Sequence, residues 1–333
     1  MKAAPRAERT VPREVAAVLA VAGALSAACG GGRPAPVSPA LREPPVATVL
    51  RGPHRQTIAW REPLAAEKAA LFRRINEERR AAGVPELAYS LLAAKAGDDF
   101  CRDAALSRSV GHWDLSGRAP YLRFALAGGV DAHAENFASR TQTPGPITEP
   151  VERLLLESHG RFMAERPPDD GHRRTVLDPQ WTHVGIGAAL AGGEFRMTEE
   201  YVRQVLEWVE LPEGPVPAGS YAPFAAKLPP GWSVGGVEVS HEPPPEPISR
   251  AEAARRGAYA YPPAVQTLRP ELARGMTYFG GGTGDFPVRG GVLRLRVPLA
   301  SGRGNYYVHV YANAGPAFGV KLTSVSAGFI RAE

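Results

Sequence analysis

Cysteine is nearly absent from this chain, which has only Cys29 and Cys101 among 333 residues. Two cysteines cannot form the disulfide framework that stabilises many small secreted domains. The chain also lacks any run of five or more basic residues, and its formal net charge is only +5. This charge pattern argues against a nucleic-acid partner. The His-Glu-x-x-His helix of many zinc proteases is missing too, so no local motif assigns a metalloprotease.

The apolar run Val15–Ala28 is too short to span a membrane as a helix. It follows several basic residues and ends in small residues before Cys29 and Gly30, which resembles the cleavage site of bacterial lipoproteins. Ser26 departs from that pattern, because such sites usually carry Leu there. We therefore expect residues 1–29 to be an export signal and Cys29 to carry a lipid that anchors the protein to the membrane. Secretion without the lipid is the alternative.

Three regions of different composition follow the signal. Residues 30–56 are rich in Gly and Pro and predict an extended linker. Residues 57–211 mix helical and β-like patterns, whereas residues 212–333 carry short alternating runs that predict a small all-β sandwich-like domain. The predicted helices are Pro63–Gly83, Leu91–Ser109, Tyr121–Ala127 and Glu149–Ala164. The predicted strands are Val184–Leu190, Glu194–Val202, Ser233–Ser240, Val292–Val297, Tyr306–Tyr311 and Val320–Val325.

Several short motifs follow one another between residues 64 and 204. They are, in order, Ile75-Asn76-Glu77-Glu78-Arg79, Gly83-Val84-Pro85-Glu86-Leu87, Gly111-His112 with Ser116-Gly117, Ala134-Glu135-Asn136, Gly171-His172-Arg173 with Val176-Leu177-Asp178-Pro179, and Val184-Gly185-Ile186-Gly187. In this order they resemble the CAP superfamily of SCP-like domains, in its bacterial form. Phe162–Glu165 is similar to the W-x-x-E helix end of that family, with Phe162 where Trp is common.

The resemblance implies an α+β fold, with a CAP-type α-β-α sandwich whose central sheet is antiparallel. It also implies a cleft in which two histidines and one or two acids meet. By match to the motifs these residues are His112, Glu135 and His172, joined by Glu165, which many bacterial members lack. Eukaryotic members carry disulfides, which this chain cannot form.

The chemistry of such a cleft has several interpretations. His112 and His172 could hold a divalent metal such as zinc, because zinc accepts imidazole nitrogen and carboxylate oxygen. The same groups could hold a water between a base and an acid, or they could simply join segments of the fold. The other histidines of this region, His133, His159 and His183, carry no motif and are expected to lie at the surface or to be satisfied by neighbours. Cys101 is expected to be a small buried hydrophobe.

The leading hypothesis is a non-enzymatic protein outside the cytoplasm, held at the bacterial cell envelope by its lipid. It would bind a small ligand or an envelope component through the cleft or the β domain. A metal-dependent hydrolase of peptides or envelope polymers is one alternative, and a scaffold with a vestigial cleft is another. The aromatic residues Tyr307 and Tyr311 could stack on sugars, but packing against the neighbouring domain is the preferred interpretation.

Overall fold

The computed structural model describes residues 47–51, 56–315 and 322–333. The expected signal with Cys29, most of the expected linker and the beginning of the predicted strand Val320–Val325 lie outside these ranges. The helices of the described part are α1 (Ala65–Ala81), α2 (Leu91–Ser107), α3 (Pro120–Leu126), α4 (Val151–Ala164), α5 (Gly171–Leu177) and α6 (Arg250–Arg256). Its strands are β1 (Ala47–Arg51), β2 (Gln56–Trp60), β3 (Ala88–Tyr89), β4 (Ala132–Thr141), β5 (His183–Ala191), β6 (Glu194–Arg203), β7 (Glu207–Glu210), β8 (Tyr221–Lys227), β9 (Trp232–Glu242), β10 (Ala264–Leu268), β11 (Val288–Arg289), β12 (Val292–Pro298), β13 (Gly304–Ala314), β14 (Thr323–Ser324) and β15 (Gly328–Ala332). Within the described part, no helix has both the length and the apolar character needed to cross a membrane.

The first part of the structure is a sheet with helices on both faces. Its strand order is β3-β5-β6-β4, and the three long strands pair antiparallel, whereas the short edge strand β3 runs parallel to β5. Along β5, Val184 and Ile186 join a buried cluster with residues of α1, α4 and α5. Gly185 and Gly187 face α2 on the other side of the sheet. The α-β-α sandwich is therefore confirmed, and β3 adds a parallel edge to the expected antiparallel sheet.

The glycines of the Val184-Gly185-Ile186-Gly187 motif bring α2 against the sheet. A Cβ at Gly185 would lie 2.2 Å from the backbone nitrogen of Ala94, and a Cβ at Gly187 would lie 2.3 Å from the carbonyl carbon of Gly97. Both distances are far below van der Waals contact, so only glycine permits this approach. The motif is explained by packing rather than by chemistry.

Asn76 and Arg79 tie α1 to distant backbone. The Asn76 side chain donates to the carbonyl oxygen of Leu87 at 3.0 Å and accepts from its backbone N–H at 2.8 Å. The Arg79 side chain is fully buried and donates to the carbonyl oxygens of Pro85 at 2.7 Å and Val176 at 2.5 Å. Buried backbone carbonyls need such donors, which explains the Asn-x-x-Arg spacing of α1.

Two further sheets make up the remainder, which we call the β region (residues 207–333). One sheet has the order β11-β12-β8-β7, and the other has the order β10-β9-β13-β14 with β15 also paired to β13. Because β7 belongs to the first of these sheets, the β region takes in residues before position 212. Along β12, Leu293, Leu295 and Val297 are buried while Arg294 and Arg296 are exposed, as the alternation predicts.

Strand β13 has one face in the core of the β region and the other face toward the first part. Tyr306, Val308 and Val310 belong to the core cluster. Tyr307 points the other way and packs edge-on against Tyr121 of α3, with ring centroids 5.2 Å apart. Tyr307 therefore contributes to the junction between the two parts rather than to an open sugar-stacking surface.

His159 occupies the layer between α4 and the sheet, where it bridges two carboxylates. Its Nδ1 lies 2.7 Å from Glu199 and its Nε2 lies 3.1 Å from Glu78. Burial disfavours the charged imidazole, but Glu199 and Glu78 outweigh that effect and raise the pKa of His159 to about 9. His159 was expected to be at the surface or satisfied, and it is buried and satisfied.

The raised pKa of His159 predicts a pH-dependent stability. Its contribution is complete below the ordinary pKa of 6.5 and is lost as the pH rises through about 9. This loss amounts to about 3 kcal/mol of unfolding free energy. We expect His159→Gln to lower that free energy at pH 6 and to abolish this part of its decline between pH 6 and pH 9.5. Urea unfolding of both proteins at the two pH values measures the difference, and parallel pH profiles would contradict the prediction.

Candidate functional site

His112 is held by a buried carboxylate on the edge strand β4. Its Nδ1 lies 2.8 Å from Oε1 of Glu135, whose side chain is 0% exposed. The second carboxylate oxygen of Glu135 accepts from the guanidinium of Arg123 on α3, and Arg123 also donates to the carbonyl oxygen of His112 at 2.5 Å. Burial opposes ionisation of Glu135, but Arg123 and His112 hold its pKa below the ordinary value. One ion pair thus fixes both the loop and the ring of His112.

His172 is held by a second carboxylate in the same manner. Its Nδ1 lies 2.5 Å from Oε1 of Glu165, which directly follows α4. The other oxygen of Glu165 accepts from the backbone N–H groups of His172 and Arg173 at 3.0 and 3.3 Å. These amides belong to the first turn of α5, where no partner exists within the helix. Phe162 stacks on the imidazole at a centroid distance of 4.6 Å, so the aromatic residue before Glu165 supports the ring.

The two imidazoles meet beside β4, although they come from opposite layers of the sandwich. Their ring centroids are 6.5 Å apart and their planes differ by 27°. Successive residues of a strand face opposite sides of a sheet, so Glu135 holds His112 from one face and Asn136 holds His172 from the other. Asn136 does so by donating from Nδ2 to the carbonyl oxygen of His172 at 3.1 Å. The structure therefore brings His112, Glu135, Glu165 and His172 together, and the Ala134-Glu135-Asn136 motif is the point where both pairs join.

A second carboxyl group lies behind Glu135. Glu200 of β6 is opposite Glu135 in the sheet register, and the two carboxyl groups are hydrogen-bonded. Burial and the nearby charge of Glu135 raise the pKa of Glu200. The other oxygen of Glu200 lies 2.7 Å from Nε2 of His133, and burial lowers the pKa of that imidazole to about 3. At neutral pH, Glu135 is therefore the anion of this group, and its charge is balanced by Arg123.

The β region contributes a segment to the cleft. Residues 243–263 connect β9 to β10, and we call them the strap. The backbone N–H of Ile248 donates to the carbonyl oxygen of Leu115 at 3.0 Å. At the other end, the ring of Tyr259 packs on His112 at a centroid distance of 4.9 Å. The Tyr259 hydroxyl accepts from the N–H of Glu135 and donates to its carbonyl oxygen at 3.2 Å. Because β4 is an edge strand, these backbone groups have no strand partner on that side, and Tyr259 supplies one.

Arg123, Tyr259 and Glu200 belong to the site but were not predicted. Arg123 and Tyr259 carry no motif, and Tyr259 lies 124 residues from its partner Glu135. Glu200 had a signal in the sequence, because Glu199 and Glu200 are consecutive acids inside a predicted strand. Two such acids face opposite sides of a sheet, and each needs a partner if both faces are covered. His159 and His133 are those partners.

The histidine pairs partly match a zinc site. A zinc-ligating imidazole commonly donates its second ring N–H to a carboxylate, as the Nδ1 atoms of His112 and His172 can do. This leaves each Nε2 with a lone pair, and neither Nε2 has a hydrogen-bond partner among the described residues. However, residues 60–315 and 322–333 contain no group of three or more His, Cys, Asp or Glu side chains arranged around a metal position. A catalytic zinc site has three protein ligands. The cleft supplies two.

The fold and the cleft together define an α-β-α sandwich whose edge strand presents two carboxylate-bound histidines. Residues 72–203 match the model of the family described as CAP, the cysteine-rich secretory protein family. This part of the chain is therefore a CAP-family domain, and the resemblance of its motifs is confirmed. The motif order, rather than cysteine content, carries the membership.

Solved structures with SCP domains are also similar. An extracellular SCP-domain protein from Bacillus anthracis str. Ames shares 20% identity over 42% of this chain and 41% of its own length, with a TM-score of 0.33. An outer surface protein from Borrelia burgdorferi shares 14% identity over 41% of this chain and 92% of its own, also with a TM-score of 0.33. The chain thus spans less than half of the Bacillus protein. Comparison with curated protein sequences gives no match.

The double hydrogen bond of Tyr259 predicts a measurable contribution to stability. We expect Tyr259→Phe to lower the free energy of unfolding by about 1–3 kcal/mol, because two buried backbone groups of Glu135 lose their partner. Tyr278→Phe is the matched control, since its hydroxyl donates to a single carbonyl, that of Pro270, in an outer loop. Urea unfolding measures both variants. Equal losses would show that the contact with the edge strand has no special weight.

Proposed function

We propose that the protein is a non-enzymatic CAP-family protein that works outside the cytoplasm and binds a small ligand or an envelope component through the cleft. One observation carries this proposal. The rings of His112 and His172 are 6.5 Å apart, each with Nδ1 bound to its own carboxylate and Nε2 without a protein partner among the described residues. Two such nitrogens accept hydrogen bonds from hydroxyl or amide groups of one ligand. Solvent reaches both rings, since their side chains are 15% and 35% exposed.

The surroundings of the cleft favour binding over turnover. Glu135 is engaged by His112 and Arg123, and Glu165 is engaged by His172 and by backbone amides of α5. A general base must be within reach of the proton that it removes, and both carboxylates here already have their partners. The strap narrows the access further, because Tyr259 lies against one face of the His112 ring.

The cleft proposal predicts that binding depends on both histidines. We expect the purified protein to co-sediment with isolated cell envelopes of its host. His112→Ala/His172→Ala should lower that affinity about tenfold or more, because two hydrogen bonds are lost. His241→Ala is the control, since His241 lies on β9 and contacts only the carbonyl oxygen of Arg303 through Nε2. Binding that persists unchanged in the double variant would favour a scaffold with a vestigial cleft.

Zinc titration separates the proposal from a metal-dependent hydrolase. Two imidazoles without a third protein ligand should hold zinc far more weakly than the roughly 10–16 kcal/mol of structural zinc sites. Calorimetric titration of the wild-type protein and of His112→Ala/His172→Ala measures this affinity. Stoichiometric zinc in the wild-type protein, lost in the double variant, would move the assignment to the hydrolase.

We further propose that the protein is exported and anchored by a lipid on Cys29. The basic and apolar residues 1–28, the small residues before Cys29 and the secretory description of the family support this localisation. Labelling of host cells with radioactive palmitate should mark the wild-type protein and not Cys29→Ala. Cys101→Ala is the matched control, because Cys101 is fully buried and should not affect the label. Label that remains on Cys29→Ala would exclude the lipoprotein, and export without any label would leave plain secretion.

A further inference from the structure

A cavity of about 340 Å³ lies where the CAP-family domain meets the β region, away from the histidine cleft. Leu122 and Leu126 of α3 line it from one part, and Pro244 and Pro245 of the strap line it from the other. Its remaining wall includes Arg303 and Asn305 at the beginning of β13. Cavities of roughly 300–1,000 Å³ hold small-molecule ligands in proteins.

Asn305 places an unpartnered donor at this cavity. Tyr306 faces the core of the β region, so Asn305 faces the opposite side together with Tyr307, toward α3. Asn305 is only 4% exposed, and its Nδ2 has no hydrogen-bond partner among the described residues. A buried amide without an acceptor is unfavourable, and such a group calls for a partner from outside the protein.

The charge at the cavity has one sign to spare. Arg331 lies in the wall, and its guanidinium is paired with Glu333 at 2.8 Å. Arg303 is exposed, and its guanidinium forms no ion pair within the part of the chain that the structure describes. An unpaired guanidinium and an amide N–H are both donors, and together they suit a carboxylate or phosphate oxygen.

We propose that this cavity binds a small organic anion with an apolar body. Its carboxylate or phosphate group would accept from Arg303 and from Nδ2 of Asn305. Its hydrocarbon part would lie against Leu122, Leu126 and the two prolines, which offer no hydrogen-bond donors from their side chains or, in the prolines, from their backbone nitrogens. The ligand would contact both parts of the chain and would strengthen their junction.

Calorimetric titration of the whole protein with octanoate tests this site. Octanoate should bind at least about tenfold more tightly than acetate, which lacks the apolar body, and than 1-octanol, which lacks the charge. Octyl phosphate distinguishes a phosphate from a carboxylate preference, and tighter binding of either anion supports the site. Equal affinities of octanoate and 1-octanol, or no binding of either anion, would overturn the proposal.

Variants then locate the binding. Arg303→Ala should weaken octanoate binding about tenfold or more, while Arg274→Ala, an exposed arginine elsewhere in the β region, should not change it. Leu126→Trp should weaken it by filling the cavity from α3, and this position tolerates a larger side chain because Leu126 is 39% exposed. His112→Ala/His172→Ala should leave octanoate binding intact, so failure of the cleft proposal does not affect this test. Unchanged binding in both Arg303→Ala and Leu126→Trp would place the ligand elsewhere and refute the site.

Discussion

Glu135 is a carboxylate without solvent contact on an edge strand, and its partners come from three separate elements. An unpaired charge in such a position costs several kcal/mol, so the fold must bring partners to it. The loop before α3 supplies His112, α3 supplies Arg123, and the β region supplies Tyr259 for the backbone groups of the same residue. The cleft and the contact between the two parts of the chain therefore depend on one buried group. Removal of Arg123 would affect both at once.

The position of β4 at the edge of the sheet explains how two histidines from opposite layers share one cleft. An inner strand is covered by a neighbour on each side, and side chains from its two faces cannot meet around it. Around β4 they can, because its second side has no strand partner. Glu135 and Asn136 then act as a two-sided support, with one histidine on each face. The same open side requires protection of its backbone groups, and the hydroxyl of Tyr259 gives it at the position where the site is built.

Local patterns predicted much of this arrangement. The helices α1 to α4, the hairpin of β5 and β6 and the four residues of the cleft all follow from periodicity or from short motifs, since each signal is contained in a few neighbouring residues. Strand β4 was not predicted as a strand, because His133, Glu135, Asn136 and Arg140 interrupt the apolar alternation that identifies strands. Those polar residues are tolerated because their partners lie across the sheet or on other elements. Tyr259 was out of reach for the same reason. Its role depends on a contact between positions 124 residues apart, which no local pattern encodes.

The protonation states within the sandwich decide what the cleft can select. On one face of β6, Glu200 has a raised pKa and His133 has a lowered one, so that pair is neutral at pH 7. On the other face, Glu199 faces the charged imidazole of His159. The remaining buried anion, Glu135, is balanced by Arg123 and not by anything that enters the cleft. A ligand therefore does not need to carry a positive charge to compensate Glu135. Recognition depends instead on the two Nε2 atoms and on the space that Tyr259 leaves beside them, which favours a neutral ligand rich in hydroxyl or amide donors.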